Sequence, residues 1–234
     1  MSELDNSAGP NSRSAAKAQR RQAILDSAKA LFAAQGFRAV SIEDIGAGAG
    51  VSGPAVYRHF ASKEEILEEL LLGISAYLHA GGGAILAAGL GPEETLRTLV
   101  DFHLDFALGE PELIRIQDRD LASLPAEARR QVRRLQRSYV TGWAGALRAH
   151  DPGLSADAAT VSVHALFGMV NSTPYVVRRI PGEVVAAQLR NAALAALGVR
   201  GSKQGGGDRL PGSGATRLAG RRAGRASVAV DEQA

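Results

Sequence analysis

"VSGPAVYRHF", residues 51–60, decides how this chain is read. Three small or ring-closed residues, Ser52, Gly53 and Pro54, are followed by Tyr57, Arg58 and His59 crowded before Phe60. Proline has a fixed φ and no backbone N–H, so Pro54 is tolerated only in the first turn of a helix. With Ser52 placed as N-cap, the stretch predicts a short third helix over residues 53–59.

Upstream, Ile24, Leu25, Ala28, Leu31 and Phe32 recur at helical spacing and Gly36 follows as a stop, which predicts helix one from Lys17 to Gln35. Ser41 then reads as an N-cap, with Glu43 and Asp44 in the first turn and Val40 able to staple onto Ile45. Helix two is expected to end near Gly48 or Ala49. "AGVS", residues 49–52, is the turn, with Gly50 where positive φ is needed and Val51 and Val56 pointing inward. Ser62, followed by Lys63, Glu64 and Glu65, begins helix four. The result is a tight helix-turn-helix, though spacing alone equally fits an ordinary helical hairpin.

Residue types favour the first reading. A helix entering the major groove of DNA must bring its first turn close to base edges, which Gly53, Pro54 and Ala55 permit. Tyr57, Arg58 and His59 can donate to phosphates or bases. Arg13, Lys17, Arg20 and Arg21 form a basic arm along helix one, and Lys63 adds charge at a helix N-terminus that already favours phosphate.

Composition narrows the other classes. The chain has no cysteine, which excludes disulfides, thiolate chemistry and Cys-based zinc sites and suits a reducing cytoplasm. "MSELDNSAGPNSRSAAKAQRR" lacks the apolar stretch of a signal peptide, so cytoplasmic localisation is expected. Two runs without Asp, Glu, Lys or Arg, Leu70 to Pro92 and Ala158 to Val177, are broken by glycines, polar residues and proline; they read as buried helices, not membrane spans. "GVSGP" fails the nucleophile-elbow pattern because Pro54 replaces its last glycine, and "GGGAILAAG" lacks the G-K-[ST] of a phosphate loop. No enzyme and no cofactor is expected.

Residues 24–67, "ILDSAKALFAAQGFRAVSIEDIGAGAGVSGPAVYRHFASKEEIL", resemble the DNA-binding domain of the TetR (tetracycline-repressor) family of bacterial regulators. The likeness runs through Ile24, Ala28, Leu31, Phe32, Gly36, Phe37, Ser41, Ile42, Ile45, Ala49, Gly50, Val51, Ser52, Tyr57, His59, Phe60, Lys63 and Leu67. It implies that Ser41, Tyr57, His59 and Lys63 touch phosphates while Ser52, Gly53, Pro54, Ala55 and Arg58 face base edges. Arg58 is then the hydrogen-bonding base reader. One departure stands out: Gly46 occupies a position where the family usually has alanine, and with Gly48 it should loosen helix two by roughly 1 kcal/mol per glycine.

Beyond Ser62 the pattern stays helical, giving an all-α fold of about nine helices in total. Ile66, Leu67, Leu70, Leu71, Ile74 and Leu78 stripe helix four; "PEETLRTLVDFHLDFAL", "PELIRIQDRDLAS" and the segment opened by Pro125 supply helices five to seven. On helix seven, Arg129, Arg130, Arg133, Arg134 and Arg137 oppose an apolar face and read as solvated. Helix eight, from Ala156 to Val170, is apolar nearly all round, and residues 181–199 form an alanine-rich helix nine. A helix without a polar face needs cover on every side, so residues 156–199 are expected to form a homodimer, as the family resemblance implies. The dimer would read an inverted-repeat operator in double-stranded DNA, and the resemblance further implies an inducer cavity among helices four to seven. Phe102, His103, Phe106, Tyr139 and Trp143 are candidates for its lining, with plain core packing the competing role for each. A metal site from Asp101, His103, Asp105 and His164 is rejected, because Asp101 and Asp105 share a face that His103 does not. The domains expected are a disordered arm over 1–15, a DNA-binding head over 16–62, a ligand-binding and dimerisation domain over 63–199, and a disordered Gly/Arg-rich tail over 200–234.

Overall fold

Apolar residues at helical spacing recur between residues 24 and 199, and the elements they form in the computed structural model are helical. The structure describes residues 10–177 and 179–199, which lie in one compact unit. The helices are α1 (Pro10–Gln35), α2 (Ile42–Gly48), α3 (Gly53–Val56), α4 (Lys63–Leu86), α5 (Pro92–Gly109), α6 (Pro111–Asp120), α7 (Ala126–His150), α8 (Ala156–Val170), α9 (Thr173–Val176) and α10 (Gly182–Ala196). Among the described residues there is no strand, and two short 3-10 turns, Phe37–Ala39 and Leu121–Ser123, complete the set.

Several ends follow the local rules. Gly50 has φ +68°, which only glycine adopts freely, and it reverses the chain between α2 and α3. Ser41 closes a capping box: its Oγ accepts the Asp44 N–H at 3.1 Å while the Asp44 carboxylate accepts the Ser41 N–H at 2.9 Å. Ser62 caps α4 by accepting the Glu65 N–H. Ser52 departs from expectation. It holds the N-cap position of α3, but its hydroxyl makes no capping bond and stays exposed.

Other boundaries moved. Helix one starts at Pro10, so residues 10–15, expected within the arm, are helical; the rest of that arm (1–9) and the tail (200–234) fall outside the described residues, and for Arg13 this holds of its side chain. The third helix closes after one turn at Val56, with Tyr57 to His59 continuing as a turn. The four-residue α9 was not anticipated.

Two apolar clusters form the interior. The first joins Ile24, Phe32, Ile45, Val56 and Phe60 of the N-terminal helices to Ile66, Leu67 and Leu71 of α4, Ile116 of α6 and Val132 of α7. The second joins Leu96 and Leu99 of α5, Trp143 and Leu147 of α7, Leu166 of α8 and Leu194 of α10. At about 1.5–3 kcal/mol for each fully buried large side chain, the first cluster ties the head to the body without a break at residues 62 and 63. By length and composition α4 could cross a membrane. Here it packs along α7 and α5.

Candidate nucleic-acid interface and interior cavity

The head is shaped by close backbone approach. A Cβ on Gly46 would stand 2.8 Å from the Val51 carbonyl oxygen and 3.2 Å from the Gly53 nitrogen. The Gly46 carbonyl in turn accepts the Val51 N–H at 2.9 Å. A Cβ on Gly48 would reach the Ser27 hydroxyl, which donates to the Ile45 carbonyl at 2.9 Å. The two glycines therefore seat α2 tightly against α3 and α1 instead of loosening it. That corrects the expectation from helix propensity alone, because contact decides where propensity is only a weak prior.

On this support the turn and α3 present Ser52, Pro54, Tyr57 and Arg58 as exposed side chains, Tyr57 at 55%. Ala55 and His59 are half-buried. Lys17 and Arg20 are exposed on α1, and Ser41 lies beside Tyr57 on the rim of an open groove of about 340 Å3 that also touches Ser62 and Lys63. Burial, then the charges of Lys17, Arg20, Arg21 and Arg58, pushes the His59 imidazole down, and its Nδ1 has no partner.

Three residues expected on DNA are engaged elsewhere. Arg21 forms a two-pronged ion pair with Glu69 of α4 and lies over the Phe60 ring at 4.3 Å, so its guanidinium fastens α1 to α4. The Lys63 ammonium donates to the Phe37 carbonyl at 2.9 Å and the Val40 carbonyl at 2.6 Å, closing the free end of the 3-10 turn. Gly53 is buried, with its Cβ position 3.3 Å from the Glu43 carboxylate. A cation near unpaired carbonyls, or a glycine near a backbone, is drawn to the nearest partner, and that partner is invisible without the tertiary fold.

The body holds a separate cavity of about 210 Å3. Of the five expected lining residues, His103, Phe106 and Tyr139 reach it. Trp143 is fully buried one layer behind, edge-on to Phe167 and Tyr139. Phe102 packs elsewhere, beside Tyr77 at 5.4 Å and over Gly81, where a Cβ would collide with its ring. Gln117, Gln136, His164, Phe167 and Asn171 line the space and were not anticipated. Asn171 carried the one sequence signal, as a polar residue ending an apolar helix; the glutamines sit on amphipathic helices that give no hint of which partner faces them.

His103 is 3% exposed and stacks on Phe167 with ring centroids 4.4 Å apart. Burial pushes its imidazole down to about 4, so it is neutral near pH 7. Its Nε2 is 3.1 Å from the Asn171 Oδ1 and its Nδ1 3.3 Å from the Tyr139 hydroxyl, an arrangement in which Nε2–H donates to the amide and the phenol donates to Nδ1. Burial pushes the Tyr139 phenol up. Asp101, in the rejected metal set, pairs instead with Arg190 at 2.6 Å.

Large apolar side chains also stand exposed late in the chain. Val161 of α8, Tyr175 of α9, Ile180 in the connection after α9, and Val184 of α10 are 68%, 74%, 42% and 46% exposed.

Comparison with known proteins matches both halves of the chain. The family model described as bacterial regulatory proteins, tetR family, covers residues 24–70, and that of the tetracyclin repressor-like C-terminal domain covers residues 89–175. The HTH-type transcriptional repressor KstR2 of Rhodococcus jostii is 30% identical over 166 residues, 70% of this chain and 80% of that protein. KstR2 of Mycobacterium tuberculosis is 42% identical over 80 residues, which span 34% of this chain and only 40% of that relative's length. The solved structure of that ketosteroid transcriptional regulator superposes with a TM-score of 0.62 at 27% identity, covering 76% of this chain and 93% of its own. A helix-turn-helix head joined to an all-helical body, matched along both parts, places this chain in the TetR family of bacterial transcriptional regulators.

Proposed function

We propose that the chain is a repressor that binds an inverted-repeat operator as a homodimer and is released by a small hydrophobic or amphipathic molecule. Residues 16–62 read DNA, and residues 63–199 bind the inducer and dimerise. The observation that carries the reading is the exposed edge of the turn and α3, where Ser52, Pro54, Tyr57 and Arg58 stand free on a support pressed close by Gly46. Arg58 is the base reader; Ser41, Tyr57 and His59, with Lys17 and Arg20, meet phosphates. Arg21 and Lys63 act indirectly, by holding α1 and the 3-10 turn in place.

The exposed apolar side chains of Val161, Tyr175, Ile180 and Val184 support dimerisation, since burying them against a second copy removes them from water. Two heads on a two-fold axis then face successive DNA turns, roughly 34 Å or a multiple apart. That relatives are named repressors supports repression over activation. The setting is the cytoplasm, where the operator lies.

Selection of bound duplexes from a random pool, at low and at physiological salt, tests the reading. One inverted repeat that survives the higher salt is expected. Binding without a motif, vanishing as salt rises, would leave only non-specific attraction and remove the regulator reading.

A further inference from the structure

The wall of the interior cavity says what kind of molecule can enter. None of its twelve lining residues is Asp, Glu, Lys or Arg. His103 engages the Oδ1 of Asn171, whose half-buried carboxamide also lines the space. Gln117 and Gln136, both half-buried, place further carboxamides along it. Carboxamides therefore face a space whose lining holds no carboxylate, ammonium or guanidinium. Phe106, Tyr139 and Phe167 make part of the wall aromatic, with the Tyr139 and Phe167 rings stacked 10° from parallel and centroids 5.5 Å apart.

An ionised carboxylate or phosphate brought into this space would leave water behind and meet no ammonium or guanidinium to offset the loss. A carbonyl or hydroxyl group would exchange water for amide hydrogen bonds at little loss. A ring would lie against the aromatic wall. We propose that the cavity takes an uncharged ring compound bearing a carbonyl or hydroxyl group, held by the carboxamides of Gln117, Gln136 and Asn171. The proposal rests on the reading of the chain as a ligand-responsive regulator and specifies the chemistry of its ligand.

Trp143 is the sole tryptophan of the chain and contacts both Tyr139 and Phe167 edge-on, so its fluorescence reports on the wall. The full-length protein is titrated near neutral pH with cyclohexyl methyl ketone and, separately, with cyclohexanecarboxylate, which has nearly the same shape and carries a charge. The ketone is expected to change Trp143 emission with at least about tenfold tighter half-saturation than the carboxylate. Asn171→Leu should weaken ketone binding by about tenfold, and Gln136→Arg, at a half-buried position, should shift the preference toward the carboxylate. Carboxylate binding as tight as ketone binding in the unaltered protein would overturn the proposal. Silence with both probes would overturn the ligand-cavity reading beneath it, which keeps the two failures apart.

Discussion

The carboxylate of Asp120, 6% exposed at the end of α6, accepts the backbone N–H of Phe37 at 3.3 Å and so bolts the body to the head across 83 residues of sequence. Arg119 beside it bonds the same carboxylate at 3.1 Å and donates to the Phe32 carbonyl at the end of α1. It can lie there because Gly36, at φ +93°, offers no side chain in its way. Lys29 of α1 adds an ion pair to Glu110 at the start of α6. The helix that carries the cavity residues Ile114 and Gln117 is thus fixed directly to α1, against which α2 packs. Asp120→Ala leaves a buried N–H unpaired and releases Arg119. Urea denaturation should show a loss of about 1–3 kcal/mol, with Asp120→Asn in between because it keeps an acceptor.

His103 gives stability a pH dependence of known sign. Its folded-state value of about 4 lies below the ordinary 6.5, so the unfolded chain takes up the proton first. Stability is full above 6.5 and is lost as pH falls toward 4, by at most about 3 kcal/mol. His59, Asp105 and Asp118 also shift, but they titrate in both proteins when wild type is compared with His103→Gln. The expected result is a shallower fall in the urea midpoint for His103→Gln between neutral and mildly acidic pH. Equal slopes would mean that His103 is not held neutral.

Arg58 and Tyr57 should fail differently. Arg58→Ala is expected to relax sequence preference at one position per half-site, with roughly 1–3 kcal/mol lost on the preferred base. Tyr57→Phe should weaken all sequences alike by about 1 kcal/mol, as loss of one phosphate bond does. Binding to a duplex library read by sequencing separates the two patterns, and a uniform loss for Arg58→Ala would make it a phosphate contact.

Gly46→Ala tests whether contact or propensity governs α2. Propensity favours alanine by about 1 kcal/mol, yet its Cβ would stand 2.8 Å from the Val51 backbone oxygen, which must move. Overpacking of this kind costs about 1–3 kcal/mol, so a lower Tm and weaker DNA binding are expected. A rise in Tm would show that the turn yields freely.

Val161→Asp places a charge on the exposed apolar surface of α8, at a side chain that a single protomer leaves 68% exposed. Sedimentation should find monomers at concentrations where the wild type is dimeric, while the helical content of the protomer is kept. Unchanged mass would move the dimer contact elsewhere.

Most of the helical order was legible in the sequence. α8 is bounded by Ala156 and Val170, as its apolar run predicts, and Ser41, Gly50 and Ser62 each perform the local task that their chemistry suggests. These features depend on neighbours a few residues away, so a linear reading contains their cause. The same holds for the helix-turn-helix and, through it, the family.

The site divides along the same line. That Tyr57 and Arg58 follow directly on α3 comes from local spacing after the turn at Gly50, although the helix itself ends at Val56. That Arg21 is taken by Glu69, that Lys63 is taken by the Phe37 and Val40 carbonyls, and that Trp143 stands behind the cavity while Gln117, Gln136 and Asn171 face it, are matters of tertiary structure. A guanidinium, an ammonium or a carboxamide satisfies itself with whatever partner the packing of distant helices brings within about 3 Å, and short-range patterns along the chain hold no record of that distance.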